Sequence, residues 1–205
     1  MLNRASIDGN KTPDKNQGGF TLIEMLIAIV ISSFVCVAAM NSIPAIFKQT
    51  YRAYFQYQLD REVRQVLLNM EKDFRRIGYC SSAHCTGEPI KISAKFLSKI
   101  NNSCIIFAYD QDLSGQWENI KSKKTETDYF SYRFNGEKLE SNRNVRNCDG
   151  TRWQSLFDPN VVKVKRLSFN LLKNKRILEV FLAVETRLLP NQVFNYQFAV
   201  FLRNL

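Results

Sequence analysis

GGFTLIEMLIAIVISSFVCVAA, residues 18–39, decides how the rest of this 205-residue chain is organised. From Phe20 to Ala39 there are 20 residues with Glu24 as the sole charged side chain. A helix rising ~1.5 Å per residue would carry them across a hydrocarbon layer of roughly 30 Å. The stretch therefore reads as a membrane segment rather than a buried core helix. An ordinary secretory signal fits less well, because no basic cluster directly precedes the apolar run and no small-x-small cleavage site follows it. Glu24 is the anomaly. A carboxylate inside a span is costly and is normally retained for a purpose. No Lys, Arg or His lies between Phe20 and Ile46 to pair with it. A cut between Gly19 and Phe20 would create a partner, because the new α-amine would stand one helical turn from Glu24.

Working outward, the chain is globular in composition, with 45% apolar and 23% charged residues, and it has room for one domain with a core plus an appendage. Its formal charge is +10. Over the first 44 residues, Arg4, Lys11 and Lys15 are offset by Asp8, Asp14 and Glu24, so the excess lies from Ala45 onward. Such a surface attracts phosphate backbones, anionic lipid or an acidic protein without choosing among them.

After the span, Ala45 to Ile77 has helical periodicity. Phe47, Tyr51, Tyr54, Phe55, Leu59, Val63, Val66, Leu67, Met70, Phe74 and Ile77 mark one apolar face, expected to pack in a core. Pro44 removes one hydrogen bond from a helix expected to run from Phe20 to Ile77 and to end at a Gly78 cap. Beyond Gly78 the pattern is that of strands, at Ile90–Ser93, Cys104–Tyr109, Tyr129–Phe134, Val161–Leu172, Ile177–Leu188 and Val193–Leu202. The last two read as a hairpin turned at Pro190 and Asn191. The fold class is α+β, with an antiparallel sheet packed on the apolar face of the long helix.

The motif GGFTLIEML resembles the N-terminal motif of type IV prepilins and type II secretion pseudopilins. That resemblance implies a cytoplasmic leader over residues 1–19, removed by a prepilin peptidase after Gly19. It further implies N-methylation of Phe20, assembly guided by Glu24, a transmembrane and assembly helix over 20–44, and a periplasmic pilin-like domain over 45–205. MEKDFRRIGYC, CTGEPI, CIIFAYDQDLSGQW and RNCDGTRW are similar to minor pilins of the class called prepilin peptidase-dependent protein B, related to the J-type minor pseudopilins. The implied role is a low-abundance subunit that primes pilus assembly with other minor pilins and sits at or near the filament tip. Its partners would be minor and major pilins, the peptidase and methylase, and inner-membrane lipid before assembly. Membership of a type II secretion pseudopilus is the alternative, and the chemistry of the span does not separate the two.

Cys80, Cys85, Cys104 and Cys148 lie beyond the span and allow three pairings, of which Cys80–Cys85 with Cys104–Cys148 is preferred. In an exported domain disulfides are favoured. His84 beside Cys85 raises zinc, although C-x3-H-C is not a recognised zinc spacing. Asp110, Asp112, Ser114 and Gly115 follow a calcium-loop pattern that fails at its twelfth position, Lys121, so a polar turn is the preferred reading. No metal or other cofactor is assigned. Arg143 and Arg146, the run Lys163, Lys165 and Arg166, and the run Lys173, Lys175 and Arg176 are candidate DNA contacts for a DNA- or surface-binding tip subunit, set against a plain solvated face. Lys163 and Lys165 would share one side of a strand with Phe169. A single histidine and the absence of a nucleophile-and-base pair argue against an enzyme.

Overall fold

A computed structural model describes residues 19–93, 102–118, 128–172 and 176–205. Residues 1–18, which make up all but the last position of the expected leader, together with Lys121, Lys173 and Lys175, lie outside the described residues. The chain divides into two compact units, Met1–Thr50 and Tyr51–Leu205.

Helix α1 spans Leu22–Phe74 and continues through Pro44. In the first unit it is apolar and exposed, with Phe20, Leu22, Ile23 and Phe34 all open. It is long and apolar enough to cross a membrane. Its serine hydroxyls are satisfied by the helix itself. Ser32 donates to the Ile29 carbonyl at 3.0 Å, Ser33 to Val30 at 2.7 Å and Ser42 to Ala38 at 2.9 Å. No unmatched hydroxyl is thereby offered to hydrocarbon.

In the second unit α1 meets two antiparallel sheets. The first contains β1 (Ile90–Ser93), β2 (Cys104–Ala108), β3 (Tyr129–Asn135), β4 (Lys138–Arg143) and β5 (Gln154–Ser155), in that order. The second contains β6 (Val162–Leu172), β7 (Ile177–Thr186) and β8 (Val193–Phe201), also in sequence order. The single sheet read from the sequence is thus two, joined by backbone bonds from Val164 N–H to the Glu137 carbonyl and from Phe169 N–H to the Asn102 carbonyl, both 2.9 Å. The β7–β8 hairpin is present.

Two strands were not legible from apolar alternation. β4 reads KLESNR and β5 is only two residues long. The missed signal for β4 is Asn135–Gly136: Gly136 and Glu137 have φ of 53° and 66°, the two positive values of a tight hairpin turn, and Asn135 pairs with Lys138.

The core forms where α1 presents Leu59, Val63, Met70 and Phe74 to the sheets. Phe74 is fully buried and joins the layers. Its ring lies 5.3 Å from Phe107 and 5.7 Å from Tyr132 of the first sheet, and 6.1 Å from Phe169 and 6.4 Å from Phe198 of the second. The expected apolar face is buried only from Leu59 onward, whereas Phe47, Tyr51 and Tyr54 remain more than 60% exposed.

The helix ends at Phe74, not Ile77. Its last turn tightens, Ile77 N–H bonding to Phe74 and Tyr79 N–H to Arg76. Gly78 has φ of 81°, but its N–H donates to the Ala108 carbonyl of β2 at 2.9 Å rather than capping α1. A Cβ there would also sit 2.8 Å from the Asn204 carbonyl oxygen, so glycine serves the docking of the C-terminus.

A bulge at Lys165 corrects the side-chain phase of β6. Val162 and Val164 face the core before it, and Leu167 and Phe169 after it. Lys163 and Lys165 therefore do not share a side with Phe169, as unbroken alternation would require.

Candidate processing and assembly site

The chain enters α1 through Thr21 and Glu24, spaced as a capping box. Glu24 Oε2 accepts from the Thr21 backbone N–H at 2.9 Å and from the Thr21 hydroxyl at 2.9 Å, while Thr21 Oγ1 accepts from Glu24 N–H at 3.4 Å. The Glu24 carboxylate also stands in the first helical turn, where the helix dipole favours an anion. This local role was missed from the sequence although T-x-x-E is its ordinary signature.

Gly19 and Phe20 precede the box and take no part in the helical ladder. Phe20 is 85% exposed, and no atom lies within 4 Å of where a Gly19 side chain would begin. The Gly19–Phe20 peptide bond is therefore open to a protease. In the uncut chain Phe20 N is an amide, and the box supplies Glu24 with hydrogen bonds but no counter-charge. Cleavage would add a cation beside it.

In the head, Cys80 is bonded to Cys85 and Cys104 to Cys148, while Cys36 is unpaired and exposed. The first bridge removes the two thiolates that a zinc reading needs, and His84 Nδ1 instead lies 3.3 Å from the Ser82 hydroxyl. The loop beyond it is organised by Asp110, which is buried. Its carboxylate accepts from the N–H and hydroxyl of Ser81, from Ser114 N–H at 3.0 Å and from Gly115 N–H at 2.9 Å. Burial pushes this carboxyl up, but those donors outweigh it and hold it below the usual carboxylate range. Asp110, Asp112 and Asp128 approach one another, yet Asp128 accepts from Gln111 N–H at 2.9 Å and Asp112 from Ser114 N–H at 3.0 Å. The segment is a self-bonded polar turn.

The second bridge closes the outer face of the first sheet. Cys104, Cys148 and Ile106 pack with Tyr129 and Trp153. Arg133 fastens this loop, donating from Nε to Glu140 Oε2 at 2.8 Å and from Nη1 to the Cys148 carbonyl at 2.7 Å. Its guanidinium also lies 3.9 Å from the centre of the Trp153 ring.

Among the described residues the candidate DNA contacts do not gather on one surface. Lys163 and Lys165 both bond Glu137, at 3.2 and 3.5 Å, and Lys165 bonds Glu185 at 2.9 Å. Arg146 bonds Glu118 at 2.9 Å. Arg166 stacks over Phe181 on the outer side of the second sheet, and Arg176 stands exposed ahead of β7. Arg143 faces the helix side of the first sheet, near Phe130. There it lines a cleft with Lys72 and Arg76.

Two family patterns match the chain. The Prokaryotic N-terminal methylation motif covers residues 14–40, and the family described as Prepilin peptidase-dependent protein B covers residues 52–202. The curated Prepilin peptidase-dependent protein B of Escherichia coli (strain K12) is 27% identical over 193 residues, covering 92% of this chain and 97% of the relative. No solved structure matches. Neither pattern is that of an enzyme family. With a methylation motif at the entry to an apolar helix and a head matched over most of its length, the chain belongs to the pilin-like prepilin peptidase-dependent protein B family.

Proposed function

We propose that this chain is a minor type IV pilin, made as a prepilin, cut between Gly19 and Phe20 and N-methylated at Phe20. Residues 20–44 hold it in the inner membrane as a single span, and residues 45–205 form the periplasmic head. It then leaves the bilayer, primes filament assembly with other minor pilins and the major pilin, and occupies the tip or a position near it. The observation that carries this reading is the arrangement at the start of α1. An exposed Phe20 lies just ahead of a carboxylate whose hydrogen-bond partners among the described residues are donors without charge.

The chemistry follows from that arrangement. Hydrolysis of the Gly19–Phe20 amide leaves a carboxylate on Gly19 and an α-amine on Phe20. The amine is protonated at neutral pH. In a packed filament the Phe20 ammonium of one subunit and the Glu24 carboxylate of its neighbour would each relieve the other's desolvation and set the axial offset between subunits. N-methylation keeps the positive charge. The leader, by contrast, would place a neutral amide and a polar segment at the same point.

Mass spectrometry of the protein recovered from membranes and from sheared filaments tests this directly. The expected mature end is N-methylated Phe20, with pili restored in a deletion strain by the wild-type gene. A mature protein that still begins at Met1, or normal piliation without the gene, refutes it.

A further inference from the structure

We propose that the cleft between the C-terminal turns of α1 and the first sheet is a receptor for an acidic peptide segment of a partner protein, which inserts a carboxylate side chain. The cleft has a volume of about 360 Å³, within the range of formed binding sites and enough for a side chain with its flanking backbone. Lys72 in the last turn of α1 and Arg76 in the turn that follows it line one wall, and Arg143 of β4 lines the other. Among the described residues none of these three forms an ion pair. Elsewhere in the head Arg64, Arg75, Arg146, Lys163 and Lys165 each have a carboxylate within 4.0 Å. Other described cations, Arg61, Lys91 and Lys138 among them, also form no ion pair, but Lys72, Arg76 and Arg143 are set apart by meeting in one concavity.

The floor carries one carboxylate, Asp73, and it is already engaged. It accepts from the Tyr132 hydroxyl at 2.7 Å and from the Tyr109 hydroxyl at 3.4 Å. Three cations over one occupied anion leave the cleft positive. Guanidinium forks match carboxylate geometry, and the side-chain amides of Asn69, Gln111 and Asn142 at the lining can hydrogen-bond the backbone flanking an inserted side chain.

The aromatic groups distinguish a peptide from a nucleic acid. Tyr109 and Phe130 are stacked on each other with centroids 4.4 Å apart and planes at 9°, and both are buried. Arg76 lies 5.5 Å from the Tyr109 centroid and Arg143 5.6 Å from that of Phe130. These ring faces are occupied, so they offer no platform for an unpaired base. A concave cleft with three cations also lacks the extended cationic track that follows a duplex backbone. Recognition here does not depend on the chain being cut or assembled, so it stands apart from the pilin reading.

Fluorescence anisotropy with the full chain in zwitterionic detergent provides the test, using labelled hexaglutamate and a labelled short DNA duplex as probes. Wild-type protein should bind hexaglutamate at low salt. The double variant Arg76→Gln/Arg143→Gln should bind it about tenfold more weakly, and Lys72→Gln should weaken it in the same direction. Lys163→Gln removes a charge outside the cleft and should change binding by less than about twofold. All the substituted side chains are solvent-accessible, and the tryptophan signal of the head verifies folding. No peptide binding by wild type, or equal losses for Lys163→Gln and the cleft variants, overturns the site. Tighter binding of the duplex that is lost in the cleft variants overturns the peptide assignment in favour of nucleic acid.

Discussion

Removing the two disulfides one at a time should destabilise the head unequally, and the order follows from where each bridge closes the chain. Cys104–Cys148 spans a sequence separation of 44 and Cys80–Cys85 one of 5. With loop-closure entropy scaling as the logarithm of loop length, the first contributes about 4 kcal/mol and the second about 2 kcal/mol. Packing acts in the same direction, since Cys104 is fully buried beside Ile106, whereas Cys80 and Cys85 are half-buried. For a unit of this size each kcal/mol moves the melting temperature by roughly 2–4 °C. Cys104→Ala/Cys148→Ala should therefore fall by roughly 8–16 °C, and Cys80→Ala/Cys85→Ala by roughly 4–8 °C. Near-ultraviolet circular dichroism of the full chain in detergent isolates the head, because both tryptophans, Trp117 and Trp153, belong to it. An equal or larger fall for the short-loop variant would refute this account of what the long bridge does.

Three further outcomes follow from named contacts. Thr21→Ala removes the capping box but keeps the carboxylate, whereas Glu24→Gln keeps hydrogen-bonding capacity but loses the charge. Filament incorporation, measured by immunoblot of sheared pili, should survive the first and be abolished by the second, and the opposite pattern would reduce Glu24 to a helix cap. Arg133→Met leaves Glu140 without its cation on a nearly buried site and should cost about 3–5 kcal/mol in urea denaturation, with much of the loss recovered in Arg133→Met/Glu140→Leu. Asp110 is held below its ordinary 3.8 in the folded head, so as pH falls the unfolded chain takes up the proton first. Its contribution is complete above about pH 4 and declines as pH drops toward the depressed folded value. Asp110→Asn should lose stability at neutral pH and flatten that acid decline, as read from urea midpoints across the acid range.

Much of this was legible in sequence because two physical periods are strong here. An unbroken run of 20 residues interrupted only by Glu24 has no comfortable place in a small soluble core, and strands with apolar residues at every second position show themselves one by one. The Gly19–Phe20–Glu24 arrangement is likewise local, since all its members lie within residues 19–24. The α+β class, the long helix and the terminal hairpin could therefore be read residue by residue.

What only the tertiary structure decided depends on groups far apart in the chain. β4 has too few apolar side chains to announce itself and forms because β3 offers it a register through the Gly136 turn. The split into two sheets and the bulge at Lys165 arise because β6 must keep Val162, Val164, Leu167 and Phe169 on one core while its backbone also meets Glu137 and Asn102. Which part of the helix's apolar face is covered is likewise a tertiary matter, since Phe47, Tyr51 and Tyr54 stay open while burial begins at Leu59. Charge shows the contrast most sharply. Lys163 and Lys165 looked like a binding strip and are matched by Glu137 and Glu185 from other segments, while Lys72, Arg76 and Arg143 come from segments more than sixty residues apart and meet around one carboxylate, Asp73, that tyrosine hydroxyls already engage. Pairing is settled by distances in space, which one-dimensional order does not contain.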